Sequence, residues 1–405
     1  MNTTTAPTLA IPRGAPANAR SVLKLLQRLR HGTLTLQLPD GTVLQFGSGE
    51  QPAASLSLHN WSVFGAALKS GDIGFAESYM AGDWSTPNLA ELLRVFLRNR
   101  QALESVVYGS WLGSLLYRVR HLLHRNTRTN SRKNIHAHYD LGNAFYRLWL
   151  DPTMNYSSAW FEGRLDGDMV QAQQAKVRRA LRMAGVWPGD RVLEIGCGWG
   201  ALAEMATGEF GASLVGVTLS TEQLAFGRER LARLGTGARA DLRLQDYRDI
   251  SEGPFDAICS IEMVEAVGRE YWPTYFESIG RLLKQGGRAC IQSIVIDDAL
   301  FERYLHSTDF IQQYIFPGGC LPSPSEFRRQ AAAAGLKVVD ELAFGPDYAE
   351  TLRRWRRQFL AERRAILQLG FDERFMRLWE FYLAYCEAAF DEANIDVVQF
   401  TLLKE

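Results

Sequence analysis

The chain has 405 residues, 46% of them hydrophobic, and its 45 basic side chains balance its 45 acidic ones. This length allows a large core and about two or three domains, and the charge balance gives no overall field that would attract nucleic acid. Five scattered cysteines without a C-x-x-C pair predict neither a disulfide framework nor a zinc site and favour a reducing, cytoplasmic setting. The sequence shows no signal-peptide pattern and no apolar run of about 18 residues, so neither secretion nor a membrane span is predicted.

The N-terminal part predicts a flexible tail followed by a small α+β domain. Residues 1–20 carry three prolines among Thr, Ala and Asn, which is typical of a tail. Alternating apolar residues on either side of Asp40 predict a β-hairpin, and helical periodicity follows over 61–70 and 89–97. We therefore expect this small domain to occupy residues 21–117.

A basic segment over 118–135 is predicted to link this domain to the next. Six Lys and Arg side chains lie between Arg118 and Lys133, and no acidic residue offsets them. Two interpretations stay open. The segment is either a solvated linker or a strip that contacts anionic lipid headgroups, where each cation contributes about 1 kcal/mol.

From residue 136 onward, strand-like apolar runs alternate with helical segments. The predicted strands are 191–195, 212–217, 242–245, 255–261, 288–296, 336–342 and 397–403. This alternation requires crossover connections, which build a parallel sheet covered on both faces. We predict an α/β domain over 136–405 with a Rossmann-like sheet of seven strands. A helical cover over 351–393, basic on one side and aromatic on the other, either walls an acyl tunnel or is an ordinary amphipathic cover.

The first strand of this domain runs into a glycine turn, Gly196-Cys197-Gly198-Trp199-Gly200, and a helix-forming segment follows. Glycines at alternate positions let the backbone approach a ligand without Cβ clashes. A strand, a glycine turn and a helix in this order are typical of a nucleotide-type binding site. A glycine-rich turn without a ligand is the alternative.

Several motifs, in their order and spacing, resemble the cyclopropane fatty acid synthase family of S-adenosylmethionine-dependent methyltransferases. They are HYDLGN at 138–143, LDPTMNYS at 150–157, the glycine turn, GVTLS at 216–220, QDYR at 245–248 and YIFPG at 314–318. The resemblance implies methyl transfer to a cis double bond of an acyl chain, giving a cyclopropane fatty acid. Alternatives are a methylene- or methyl-branched product of the same carbocation, a small-molecule methyltransferase, and a non-catalytic lipid-binding module.

The resemblance also assigns residues to the cofactor. These are Tyr156, Ser157, Gly196, Cys197, Gly198, Gly200, Thr218, Ser220, Gln223, Gln245, Asp246 and Tyr247. S-adenosylmethionine needs close backbone, hydrogen-bond acceptors and an apolar slot, and Asp246 is expected to accept from the adenine amino group. Asp246 could instead cap a helix, and Thr218 could simply end a strand.

A bound bicarbonate ion is implied as the base, held in the family by a cysteine, a glutamate, a histidine, a backbone position near an isoleucine, and a tyrosine. The glutamate, isoleucine and tyrosine fall on Glu265, Ile294 and Tyr348, whereas Ser158 and Gln292 replace the cysteine and the histidine. Serine and glutamine can donate hydrogen bonds to an anion, but glutamine cannot carry a proton as histidine can. Bicarbonate and the exact product therefore stay open.

Some polar residues near these motifs have weaker claims to a role. Glu262 shares a strand end with Glu265 and is interpreted as a neighbouring polar residue. Cys386 matches a cysteine regarded as active-site in the family, but alkene methylation has no evident need for a thiolate, so a structural role is favoured. No set of ligands accompanies His136 and His138, so no metal site is predicted.

The predicted N-terminal domain resembles the extra domain of bacterial enzymes that act on membrane phospholipids. The expected substrate is therefore an unsaturated phospholipid at the inner membrane surface, with the protein cytoplasmic and peripherally associated. No nucleic-acid partner is expected, and a homodimer is left open.

Overall fold

The structure is a computed structural model that describes residue 12, residues 14–103 and residues 141–405. The described chain forms two compact units. The first contains the residues up to 103 together with Ser307–Phe310 and Phe371–Glu392, and the second contains most of the remainder from residue 141 to the C terminus. The predicted basic linker, His136 and His138 lie outside the described residues.

The N-terminal part of the first unit combines a small sheet with helices. Its elements are α1 (Ala17–Leu26), β1 (Thr33–Gln37), β2 (Val43–Gly47), β3 (Ala53–Leu58), α2 (Ser62–Ala81), β4 (Trp84–Ser85) and α3 (Leu89–Arg98). The strand order is β2-β1-β3-β4, with β1 antiparallel to β2 and parallel to β3. The predicted hairpin is confirmed as β1 and β2, whereas β3 was not predicted. Helix α1 begins inside the segment predicted as a tail.

From residue 141 the chain alternates helices and strands. The elements are α4 (Gly142–Trp149), α5 (Met169–Met183), β5 (Arg191–Ile195), α6 (Ala201–Gly208), β6 (Ser213–Thr218), α7 (Thr221–Arg233), β7 (Ala240–Leu244), β8 (Phe255–Ile261), α8 (Val264–Val267), α9 (Trp272–Leu282), β9 (Leu283–Ile296), α10 (Asp298–Leu305), α11 (Phe310–Tyr314), α12 (Pro324–Ala333), β10 (Leu336–Ala343), α13 (Gly345–Ala361), α14 (Arg363–Gln368), α15 (Glu373–Asp391) and β11 (Ile395–Lys404). None of the helices described here is both long enough and apolar enough to span a bilayer.

The sheet of the second unit has seven strands in the order β10-β11-β9-β8-β5-β6-β7. Five neighbouring strands of this sheet are parallel to one another, namely β9, β8, β5, β6 and β7. Strand β11 runs antiparallel to both β9 and β10. Neighbouring residues of β5 face opposite sides: Leu193 packs in the core that contains α9 and α12, and Val192 packs in the core that contains α5, α6 and α7. The predicted Rossmann-like α/β fold with its seven-stranded sheet is confirmed.

Helix α15 belongs to the first unit, although the sequence placed it in the cover of the second domain. Its aromatic face explains this, because the Phe381 ring lies 4.8 Å from Phe310 and 5.9 Å from Tyr79 between ring centroids. The Tyr79 hydroxyl also donates to Glu380 at 2.8 Å. Helices α13 and α14 of the predicted cover remain in the second unit.

Candidate active site

The glycine turn follows β5 at the edge of the sheet where the parallel strands end. Gly196 and Gly200 have φ of 84° and 82°, and a Cβ at Gly196 would lie 2.6 Å from the Met263 Sδ, so only glycine fits there. Gly198 has φ of 47°, and a Cβ at this position would meet nothing within 4 Å. Gly196 therefore serves packing, whereas Gly198 presents bare backbone to open space, as the predicted cofactor requires.

A buried acid and a buried lysine lie close to this turn. Burial raises the pKa of Glu194 in β5 to about 8, although the positive charges of Lys176 and Arg230 oppose this shift. Burial lowers the pKa of Lys176 in α5 to about 8, and the charges of Glu262, Asp151 and Glu194 oppose that shift. The Oε2 of Glu194 is enclosed and has no hydrogen-bond partner among the described residues, which suits a site that a polar ligand completes.

The predicted cofactor residues after β6 form the start of α7. The Thr218 hydroxyl, at the end of β6, donates to the Gln223 Oε1 at 2.9 Å. The Ser220 Oγ accepts from the Gln223 backbone N–H at 3.3 Å and caps the helix. All three side chains are buried at the same edge as the glycine turn.

After β7, the Asp246 carboxylate is held by Arg248. It accepts from the Arg248 backbone N–H at 3.0 Å and pairs with the guanidinium at 2.6 Å, so it caps the short 3-10 helix Tyr247–Asp249. The Tyr247 ring packs edge-on against Tyr275 at 5.6 Å between centroids, and the Gln245 side chain donates to the Asp249 carbonyl at 3.0 Å. These contacts include the capping role considered from the sequence, and cofactor binding by these residues stays a prediction.

The segment 156–161 is fixed by its own backbone amides. The N–H of Ser158 donates to Glu262 at 2.9 Å, that of Ala159 to the Thr351 hydroxyl at 3.2 Å, and that of Phe161 to Asp347 at 2.5 Å. The Ser158 hydroxyl itself donates to the Ala159 carbonyl at 2.9 Å. Ser158 therefore contacts Glu262 through its backbone and not through its side chain.

Three donors converge on the carboxylate of Glu262, and we call these four residues the Glu262 cluster. The Oε1 accepts from the Ser158 N–H at 2.9 Å and from the Gln292 Nε2 at 2.8 Å, and the Oε2 accepts from the Tyr348 hydroxyl at 2.6 Å. Burial raises the pKa of Glu262, while these three donors and the charge of Lys176 oppose the shift. The cluster brings together three of the predicted catalytic positions around a residue that the sequence treated as a neighbour.

The amide of Gln292 has a fixed orientation. Its Oε1 accepts from the Gln399 Nε2 at 3.0 Å, and the Gln399 Oε1 accepts in turn from the Arg179 guanidinium at 2.8 Å. Because the Arg179 guanidinium can only donate, the Gln399 oxygen must face Arg179 and the Gln399 amide nitrogen must face Gln292. This series of hydrogen bonds orients the Nε2 of Gln292 toward Glu262.

The second glutamate at this strand end has a different environment. The Glu265 carboxyl accepts from the backbone N–H of Ile294. Burial and the neighbouring charge of Glu262 raise the pKa of Glu265 to about 8. At neutral pH, Glu265 therefore holds its proton, whereas the charge of Lys176 favours the ionised form of Glu262.

A continuous row of aromatic rings runs from the glycine turn to the Glu262 cluster. The ring of Trp199 lies 5.1 Å from Tyr146, Tyr146 lies 5.4 Å from Tyr156, Tyr156 lies 5.6 Å from Trp355, and Trp355 lies 6.2 Å from Tyr348. Aromatic faces attract cations, and the attraction is stronger where water is excluded. The row suits a reaction that develops positive charge on an apolar substrate.

Cys386 lies on α15 and thus in the first unit, whereas the other predicted catalytic residues lie in the second. Burial, with Asp309 nearby, raises the pKa of its thiol. The thiolate is therefore disfavoured. The structural role favoured from the sequence stays a prediction.

Lys176 and Gln399 were not predicted from the sequence, and Glu262 was interpreted only as a neighbouring polar residue. Lys176 lies on the face of α5 that buries Ala172, Val177 and Ala180. A lysine within such an apolar stripe is a signal that the sequence offered, because unpaired lysines are almost never fully buried. Gln399 offered a weaker signal as a polar residue inside the apolar run of β11.

The sheet order and the glycine turn are typical of S-adenosylmethionine-dependent methyltransferases. Residues 126–400 match the family described as Mycolic acid cyclopropane synthetase, and the chain belongs to this family. This confirms the resemblance found in the sequence. The protein is thus a methyltransferase of a family that acts on lipid acyl chains.

Two relatives match nearly the whole chain. Tuberculostearic acid methyltransferase UfaA1 of Mycobacterium tuberculosis is 40% identical over 408 residues, covering 98% of this chain and 94% of the relative. Cyclopropane-fatty-acyl-phospholipid synthase of Escherichia coli is 35% identical over 353 residues, covering 87% of this chain and 88% of the relative. The crystal structure of mycolic acid cyclopropane synthase CmaA1 complexed with SAH and CTAB is similar with a TM-score of 0.63 at 34% identity, covering 67% of this chain and 98% of that chain.

Proposed function

We propose that this enzyme transfers a methyl group from S-adenosylmethionine to the cis double bond of an unsaturated acyl chain in a membrane phospholipid. The observation that carries the proposal is the aromatic row that joins the glycine turn to the Glu262 cluster. When bound at the turn, S-adenosylmethionine supplies an electrophilic methyl group. An alkene needs no deprotonation before it attacks, so the residues must align it, stabilise a carbocation and accept a proton afterwards.

The second unit contains groups for these tasks. The rings of Tyr146, Tyr156 and Trp355 lie next to one another between the glycine turn and the Glu262 cluster, and in this proposal they stabilise the cation. The charge of Lys176 favours the ionised form of Glu262, and in this form the carboxylate attracts the cation and can accept a proton. In this proposal the cofactor lies at Gly196 to Gly200, with the predicted residues from Thr218 to Gln223 and from Gln245 to Tyr247 beside it.

The lengths of the alignments support phospholipid as the substrate. The alignment with the Escherichia coli phospholipid enzyme spans 353 residues, more than the predicted methyltransferase domain contains, so it extends into the N-terminal part. The solved mycolic acid synthase CmaA1 covers only 67% of this chain. The N-terminal part is therefore shared with the relative whose name specifies phospholipid and also with the tuberculostearic acid methyltransferase. In this proposal it holds the protein at the membrane surface.

Two isomeric products are consistent with this chemistry. Methyl transfer to one alkene carbon leaves a cation on its neighbour, and loss of a proton from the new methyl group closes the cyclopropane ring implied by the sequence. A hydride shift from the methylated carbon moves the cation there, and loss of the same methyl proton then gives a methylene branch. The second product is favoured by the replacements at Ser158 and Gln292 and by the 40% identity to a tuberculostearic acid methyltransferase.

Labelled methyl transfer into phospholipid vesicles tests the proposal. We expect incorporation of the methyl label into vesicles that contain cis-unsaturated chains and none into matched vesicles with saturated chains. Because a ring and a methylene branch have the same mass, proton NMR of the released acyl chains identifies the product. Binding of S-adenosylmethionine and lipid without any methyl transfer would contradict the proposal and support a lipid-binding module.

A further inference from the structure

We propose that the carboxylate of Glu262 occupies the position for which the family resemblance implies bicarbonate, and that it accepts the proton released after methyl transfer. This inference rests on the proposed function. It predicts an enzyme that needs no external anion, because the chain supplies one from its own side chain.

The donors of the predicted anion site already bind Glu262. Ser158, Gln292 and Tyr348 stand at three of the five implied ligand positions, and they donate to Glu262 at 2.9, 2.8 and 2.6 Å. A fourth position, the backbone N–H of Ile294, donates to Glu265. The donor set therefore fits a side-chain carboxylate and leaves bicarbonate without these ligands.

The charges around the cluster lead to the same conclusion. Lys176 is buried in α5, and its charge favours an ionised Glu262. A bicarbonate ion beside Glu262 would place a second negative charge against the same lysine. Gln292 adds no charge, and its amide is fixed as a donor by Gln399. The electrostatics therefore favour one anion at this position, and the chain already provides it.

The backbone at Glu262 is held in an unusual conformation. Its φ is 51°, in the left-handed region that glycine adopts without strain. Other residues adopt this region only at a cost in conformational free energy. A glycine here would relieve that strain and leave the position empty. The chain instead keeps a glutamate whose carboxylate reaches all three donors, which is typical of strain at a functional site.

The proposed proton transfer balances without another reactant. A C–H bond of the new methyl group breaks, its electron pair forms the carbon–carbon bond that quenches the cation, and its proton binds a Glu262 oxygen. The Oε2 has one protein donor, Tyr348, among the described contacts, so it keeps a lone pair for this proton. Glu262 is then a neutral acid and returns its proton to water before the next turnover.

The first test measures methyl transfer by the full-length protein in buffer freed of carbon dioxide and in the same buffer with added bicarbonate. We expect the same rate in both. A wild-type rate that depends on bicarbonate would overturn the inference and leave the proposed function intact. No transfer under either condition would overturn the proposed function, and the inference with it.

A matched pair of variants tests whether Glu262 fills the anion position. Glu262→Gly empties the position and suits the positive φ, whereas Glu262→Gln keeps it filled with a neutral side chain. We expect both to lose about 100-fold or more in rate without bicarbonate, the effect of removing a proton acceptor. Added bicarbonate or formate should restore about tenfold or more to Glu262→Gly and nothing to Glu262→Gln. An equal response of the two variants to added bicarbonate or formate would overturn the inference.

A binding measurement gives a readout other than activity. Carbon NMR of labelled bicarbonate should detect binding to Glu262→Gly, and to the double variant that adds Gln292→His, but not to the wild-type protein. Binding to the wild-type protein at the same concentration would overturn the inference even if a variant failed to fold.

Discussion

Each unit of the protein buries a carboxyl group that accepts hydrogen bonds from a tyrosine hydroxyl and from at least one backbone amide. In the first unit, Asp72 accepts from the Tyr385 hydroxyl at 3.0 Å, from the Phe310 N–H at 3.1 Å and from the Ile73 N–H at 2.8 Å. In the second, Glu262 accepts from the Tyr348 hydroxyl and the Ser158 N–H, with an amide side chain as the third donor. By hydrogen bonding alone, the two groups are alike.

Their charged neighbours differ. Burial and the nearby charge of Asp309 raise the pKa of Asp72 to about 7, whereas Lys176 opposes the effect of burial at Glu262. Similar donors can thus hold a carboxyl that is partly protonated at neutral pH or one whose ionised form has a counter-ion. These neighbours favour a structural role for Asp72 and suit the proposed role of Glu262 as the proton acceptor.

The largest effect on activity is expected when each of these two acids is replaced by its amide, and this pair of variants distinguishes the two roles. Glu262→Gln should lower the rate of methyl transfer by about 100-fold or more, because the variant has no carboxylate to accept the proton. Asp72→Asn, the same chemical change in the first unit, should leave the rate near that of the wild-type protein. Steady-state assays with labelled S-adenosylmethionine and unsaturated vesicles measure both, and equal losses would break the distinction.

Removal of the counter-ion should have the next largest effect. Lys176→Met takes away the charge that favours ionised Glu262, so the pKa of Glu262 should rise further. Because only the ionised form accepts a proton, activity is lost as pH falls through this pKa, and the acidic limb of the pH–rate profile should move to higher pH. Lys24→Met, at an exposed position, is the control. An unmoved acidic limb in Lys176→Met would show that Lys176 does not act on Glu262.

Gln399 is expected to act as a positioning residue with a smaller effect. Gln399→Leu removes the group that fixes the Gln292 amide, so that amide can rotate away from Glu262. We expect kcat to fall by about tenfold with KM little changed, since the carboxylate remains but is less well held. Gln45→Leu makes the same change at an exposed strand position and should leave kcat as in the wild-type protein. A change confined to KM would contradict the positioning role.

The smallest expected effect concerns the stability of the first unit. Because the pKa of Asp72 is raised to about 7 in the folded protein from 3.8, the folded state binds the proton more tightly than the unfolded state. The free energy of unfolding should therefore fall as pH rises from about 4 to 7, by at most about 1.4 kcal/mol per pH unit. Asp72→Asn should flatten the dependence of the unfolding free energy on pH, as measured by denaturant titrations at several pH values. Asp40→Asn is the control, because the Asp40 carboxyl has a lowered pKa and its replacement should not flatten this dependence. An unchanged slope in Asp72→Asn would contradict the raised pKa.

The architecture of the second unit could be predicted because its central strands are buried on both faces and bounded by turns. Strand β8 spans the predicted 255–261, and β5 spans the predicted 191–195 before the glycine turn. Strand β3 was missed because its small polar and apolar residues give a weak signal. The grouping of α15 with the first unit was missed because an amphipathic pattern shows which face is buried and not which neighbour covers it.

The site was predictable in its positions but not in its contacts. The resemblance pointed to Ser158, Gln292 and Tyr348, and the structure brings all three together. It could not show that they bind Glu262, because that contact depends on a left-handed backbone conformation at the end of β8. Similarly, the burial of Lys176 follows from how α5 packs on the sheet, which no local pattern specifies.

The most direct test of the account is a bicarbonate titration of the wild-type enzyme, starting from buffer freed of carbon dioxide, with labelled S-adenosylmethionine and cis-unsaturated phospholipid vesicles. If Glu262 supplies the anion, methyl transfer proceeds at its full rate before any bicarbonate is added and does not rise during the titration. A rate that starts near zero and climbs to a plateau with bicarbonate would show that the anion comes from solution and would contradict the account.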